Sequence, residues 1–160
     1  SKEICDGRKS LDEFRDIHLR RWSKFAEQAL LNDNIYIFEC AFLQNHIFEL
    51  LGVYEKSDEE IYLYLKSLLE TVKSLSPSIV YIEPSSVEDI IIQAANESKS
   101  PEGSRPDWID EVANWVSNMN FGKSHNLKGI EGVFYFCKER LRIDKLMIEK
   151  LNVSVTIIKR

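Results

Sequence analysis

Glu39 closes the short apolar run Ile35-Tyr36-Ile37-Phe38. A carboxylate at the carboxyl end of a buried strand stands where open α/β sheets meet their ligands. The plain alternative is a carboxylate facing the positive end of the helix that follows. Gln44 and Asn45 lie on that helix, with amides able to read a base or an acceptor amide, or simply to face water. Arg105 sits in a polar loop, where a planar donor fork suits phosphate oxygens once the loop closes, and Lys99 shares that loop. Lys123 and Lys128 flank a glycine-bearing connection and would touch an anion or serve solubility. Trp22 falls on a helical stripe with two readings, packing or stacking on a substrate ring, whereas Trp108 and Trp115 read as packing residues.

Other chemistries find less support. Cys5, Cys40 and Cys137 are widely spaced without a CxxC pair, which fits reduced thiols in a cytoplasmic protein. Cys40 and Cys137 sit among aromatic residues and read as small core side chains. His18, His46 and His125 show no metal-ligand spacing, so no metal site is expected from them. A net charge of −5 with scattered basic residues offers nucleic acid no positive stripe. The longest apolar runs are too short to span a membrane, and no secretory signal opens the sequence.

The elements that would position these residues follow from periodicity. Leu11, Phe14, His18, Trp22, Phe25 and Ala29 recur at three- and four-residue steps, predicting an amphipathic helix to about Leu31. Asn32-Asp33-Asn34 breaks it, and residues 35–38 read as a strand buried on both faces. A short helix from Ala41 to Leu51 stops at Gly52. Ser57 and Glu60 have capping-box spacing before the stripe Ile61, Leu65, Leu68, Leu69, Val72. Residues 78–82 form a second expected strand, and Ser85 with Glu88 repeats the capping spacing. Residues 98–107 are polar, with two prolines and a glycine, and read as a mobile, lid-like loop. Helices are expected near 108–119 and 133–151, and a third strand over 153–158. Strands alternating with helices predict one α/β domain over 1–160: three layers, a mostly parallel sheet and flanking helices.

The run from Ile35 to Gln44, the strand Ser78–Ile82 with its helix start at 85–90, the Arg105 loop and the final stretch 151–158 together resemble the nucleoside and nucleotide kinase branch of P-loop proteins. The resemblance covers the chain from about Trp22 onward. It implies ATP- and Mg2+-dependent phosphoryl transfer to a small acceptor such as a nucleoside or nucleotide. Glu39 would then accept the proton of the attacking hydroxyl or hold the sugar, with Arg105 in a closing lid. None of the six glycines opens a GxxxxGK[ST] pattern, the loop that cradles phosphates in that family. The expectation is therefore a P-loop-like fold lacking its first strand, a fragment of a longer kinase-like domain. The alternative is a non-catalytic α/β module that binds a partner or small ligand.

Overall fold

The structure, a computed structural model, describes residues 9–99 and 107–160. Seven α-helices dominate the described residues: α1 (Leu11–Ala29), α2 (Gln44–Gly52), α3 (Asp58–Val72), α4 (Val87–Glu97), α5 (Trp108–Asn118), α6 (Asn120–Ser124) and α7 (Gly129–Lys150). A 3-10 turn, Lys73–Leu75, follows α3. Strands β1 (Ser78–Glu83) and β2 (Ser154–Lys159) pair in parallel, with Ser78 opposite Ser154 and Glu83 opposite Lys159.

The expected three-layer, mostly parallel sheet is not what the chain builds. Among the described residues the sheet has two strands only. Residues 35–38, expected to be a buried strand, join no ladder, and Ile35 and Ile37 are each 90% exposed. An apolar run meets one requirement of a strand; a neighbouring backbone to satisfy its N–H and C=O groups is the other, and here none of the described residues supplies it. The P-loop-like architecture that rested on this strand falls with it.

The helices form where periodicity and caps require. Ser10 caps α1 and Ser57 caps α3, each in a reciprocal capping box with Glu13 and Glu60. The cap of α4 is Ser86, which accepts from the Asp89 N–H at 3.1 Å, one residue beyond the expected Ser85. The expected connection at 121–132 contains the short α6, and α7 starts at Gly129, earlier than its periodicity suggested.

The core is helix on helix. Phe14 of α1, Ile47 and Leu50 of α2, Ile61, Tyr64 and Leu65 of α3, and Phe136, Ile143 and Met147 of α7 belong to one buried cluster. Two glycines permit its tightest approaches. A Cβ on Gly122 would stand 1.8 Å from the Val116 carbonyl oxygen, and one on Gly52 would stand 2.5 Å from Met119 Sδ. Arg142 of α7 ties down the start of α3 with two 2.8 Å bonds to Asp58. Cys137 is half-buried, whereas Cys40 is exposed in the turn before α2 instead of lying in the core.

Candidate functional site

The first candidate site lies where α1 passes the start of α2. Helical spacing carries Phe14, His18, Arg21 and Trp22 to one side of α1. Ala41, Asn45 and His46 arrive from the turn into α2, and together these residues line a cavity of about 250 Å³. The turn is built by Cys40, whose left-handed backbone (φ 58°) lets its carbonyl accept the Asn45 N–H at 3.1 Å.

The walls of this cavity are aromatic. The rings of His18 and His46 meet edge-on at 4.7 Å, and Phe14 lies 4.4 Å from His18. Trp22 stands 6.4 Å from His46, 5.9 Å from Phe42 and 6.0 Å from Phe38. Burial pushes His46 down to about 3, and the neighbouring His18 pushes the same way, so its imidazole is neutral. His18 is lowered too, chiefly by burial and then by the Arg21 cation, against the Phe14 carbonyl 2.9 Å from its Nδ1. A neutral ring facing a carbonyl carries its proton on Nδ1, which leaves Nε2 as an acceptor. Arg21 is exposed, and among the described residues no carboxylate forms an ion pair with it. Its neighbour Arg20 is held by Asp16 at 2.8 Å.

Two of the residues singled out in the sequence, Trp22 and Asn45, meet in this cavity. The others do not line it. Glu39 is exposed beyond the extended segment, and Gln44 points its amide oxygen at Cys40 Sγ, 3.4 Å away. Lys123 lies on α6, Lys128 precedes α7, and Lys99 follows α4; all three are exposed. Arg105 and residues 100–106 of the expected lid lie outside the described residues. Sequence reasoning missed Phe14, His18, Arg21 and His46 as lining residues. The spacing of Phe14, His18 and Trp22 was visible, but it reads equally well as the buried stripe of a helix. Among the described residues no group of three or more His, Cys, Asp and Glu side chains could hold a metal ion.

The second candidate is the unfinished sheet. No family model, curated protein or solved structure matches this chain. The sheet departs from ordinary packing in leaving apolar side chains and an outer edge uncovered among the described residues. The Arg160 N–H donates to the Glu83 carbonyl, and the Ser85 N–H donates to the Arg160 carbonyl. Strand groups alternate, so Ser78, Val80 and Ile82 direct their N–H and C=O groups toward the opposite edge. No strand among the described residues occupies that edge.

The side chains of β1 alternate as well. Ile79 and Tyr81 pack inward, with the Tyr81 hydroxyl donating to Asp144 of α7 at 3.3 Å. Asp144 is buried, accepts from Arg140 at 2.9 Å, and has its carboxyl raised, mainly by burial. The outward face carries Val80 and Ile82 of β1 and Ile158 of β2, which are 63%, 59% and 49% exposed. Residues 35–38 show the same two-sided pattern. Tyr36 and Phe38 lie edge-on against Phe25 of α1 at 5.0 and 4.9 Å, while Ile35 and Ile37 face water. Among the described residues no helix is long and apolar enough to cross a membrane.

Proposed function

We propose that this chain is an interaction module that completes its sheet with an extended apolar strand added along the free edge of β1. The observation that carries this reading is the parallel sheet, two-stranded among the described residues, whose outer edges no described strand occupies and whose outward face bears the exposed Val80, Ile82 and Ile158. Parallel sheets occur almost only with both faces covered, and a two-stranded sheet is marginal alone. An open edge is a template for strand addition, in which main-chain bonds give affinity and alternate side chains give specificity. The added strand is rich in Val, Ile and aromatic residues, because it continues the surface made by Val80, Ile82 and Ile158.

Hydrogen exchange tests this on the monomeric chain. Tyr81 and Glu83 amides, which face β2, are expected to be protected, and those of Val80 and Ile82 to exchange freely. A capped, apolar, β-branched peptide of about six residues should then slow Val80 and Ile82 selectively. Protection of Val80 and Ile82 in the monomer without any peptide would refute the open edge.

The second reading is phosphoryl transfer to a small acceptor, with ATP and Mg2+ as the resemblance implies. It is favoured by the convergence of Trp22 and Asn45 on one cavity. Its test is consumption of ATP in the presence of nucleosides and mononucleotides, compared between the chain and its Trp22→Ala variant. Turnover that is absent, or that is indifferent to Trp22, removes it.

A further inference from the structure

Residues 35–38 have what the edge of β1 lacks. The segment follows the Asn32-Asp33-Asn34 break, enters no helix, and pairs with no strand among the described residues. Its inner side is finished: Tyr36 and Phe38 lie on Phe25 of α1, as Ile79 and Tyr81 of β1 lie on the core. Its outer side is bare at Ile35 and Ile37, as β1 is bare at Val80 and Ile82. Two half-covered segments with the same alternation, each lacking a neighbour, are complementary in backbone and in side chains.

We propose that two copies of this chain associate through this pair, residues 35–38 of one copy lying antiparallel along the free edge of β1 in the other, and reciprocally. Setting Ile37 opposite Val80 and Ile35 opposite Ile82 puts all four on the outer face. The same register sets Tyr36 beside Tyr81 and Phe38 beside Ile79 on the inner face. The antiparallel direction also carries Glu39 to Ser78, whereas a parallel strand brings it toward Glu83, and like charges on neighbouring strands repel. A two-fold arrangement makes the junction twice and closes the dimer.

The exposed area fits a weak dimer. An isoleucine-sized side chain carries about 60–120 Å² of apolar surface on the transfer scale. The exposed parts of Ile35, Ile37, Val80, Ile82 and Ile158 therefore offer about 200–400 Å² per copy. A standard interface takes about 800 Å² from each partner, a little over half of it apolar, or about 450 Å². The patch stands just below that, which sets a dissociation constant on the order of 100 μM.

This inference rests on the strand-addition reading and names its partner. Sedimentation of the chain between about 10 μM and about 1 mM should show monomer passing to dimer. Two variants block the two halves of the junction. Val80→Pro removes an N–H that points to the free edge and keeps the bonds to β2. Ile35→Lys with Ile37→Lys charges the segment at two exposed positions. Each alone should weaken association about tenfold or more. Mixed, they should complement at one junction. Amide exchange at Val80 and Ile82 of the isotope-labelled segment variant should slow when the unlabelled edge variant is added, and should not slow with more of the unlabelled segment variant. Should Val80→Pro fail to fold, Val80→Lys with Ile82→Lys blocks the edge at two exposed side chains. A chain that stays monomeric at about 1 mM overturns the inference, as does a dimer indifferent to both blocks or a mixture without complementation. If the capped peptide slows Val80 and Ile82 while the chain stays monomeric, this inference fails and strand addition stands; if neither occurs, both fail.

Discussion

Replacing Ile35 and Ile37 with threonine should leave the isolated chain almost as stable as before. Full burial of an isoleucine side chain contributes about 1.5–3 kcal/mol relative to exposure. Each of these residues is 90% exposed, so about a tenth of that is at stake at each position, about 0.2–0.3 kcal/mol. Threonine keeps the β-branch and the extended preference of the backbone, leaving the apolar surface as the main change. Together the two substitutions should cost about 0.5 kcal/mol in a urea unfolding series, with an unchanged slope against denaturant. Ile47→Ala is the internal scale: that residue is fully buried, and its truncation should cost about 2–5 kcal/mol. Should the double variant lose more than about 1.5 kcal/mol, Ile35 and Ile37 must be packed in the folded chain. The segment would then not be a bare surface, while the unpaired edge of β1 would be untouched by the result. Near-neutral stability with reduced self-association at high concentration would instead agree with an exposed, sticky surface.

Other outcomes follow from particular contacts. His46 is held at about 3 in the folded chain against 6.5 for the free group, so the unfolded chain binds the extra proton between those values. Stability from this group is therefore complete above about pH 6.5 and is lost as pH falls toward 3, by about 1.4 kcal/mol per pH unit. A His46→Gln variant should lack most of that slope when urea midpoints are compared between pH 7 and pH 5, and an unchanged slope would show that His46 is not buried. Gly122→Ala should cost about 2 kcal/mol or more in thermal unfolding, because its Cβ would press on the Val116 carbonyl, which is backbone and cannot swing aside. Ser57→Ala removes the cap of α3 and should cost about 1 kcal/mol by the same measurement, with Ser57→Asp restoring most of it.

The helices were legible because their signals are local. Ser10 with Glu13 and Ser57 with Glu60 mark two starts through bonds made within four residues, and the Leu and Ile stripe of α3 marks its buried face. The strands at 78–83 and 154–159 were also legible, since their β-branched runs are bounded by turn residues on at least one side. The Ser86 cap differs by one residue from the expected one because Ser85 and Ser86 both have the right chemistry; backbone geometry alone chooses between them.

What the sequence by itself determined, then, is where apolar stripes, caps and turns fall, because each depends on neighbours a few positions away. Only the tertiary structure decided whether an apolar run becomes a strand, because that needs a second backbone from elsewhere in the chain. Residues 35–38 have a strand's composition and its alternation, with Tyr36 and Phe38 on α1, yet they lack the pairing, and the three-layer sheet expectation fails there. The candidate cavity divides in the same way. Trp22 and Asn45 could be picked out by type, but their meeting with Arg21, His18 and His46 depends on how α1 packs beside the turn into α2. Side-chain type is written in the chain, whereas the environment that neutralises His46 and brings Arg21 beside it in one cavity is made by packing.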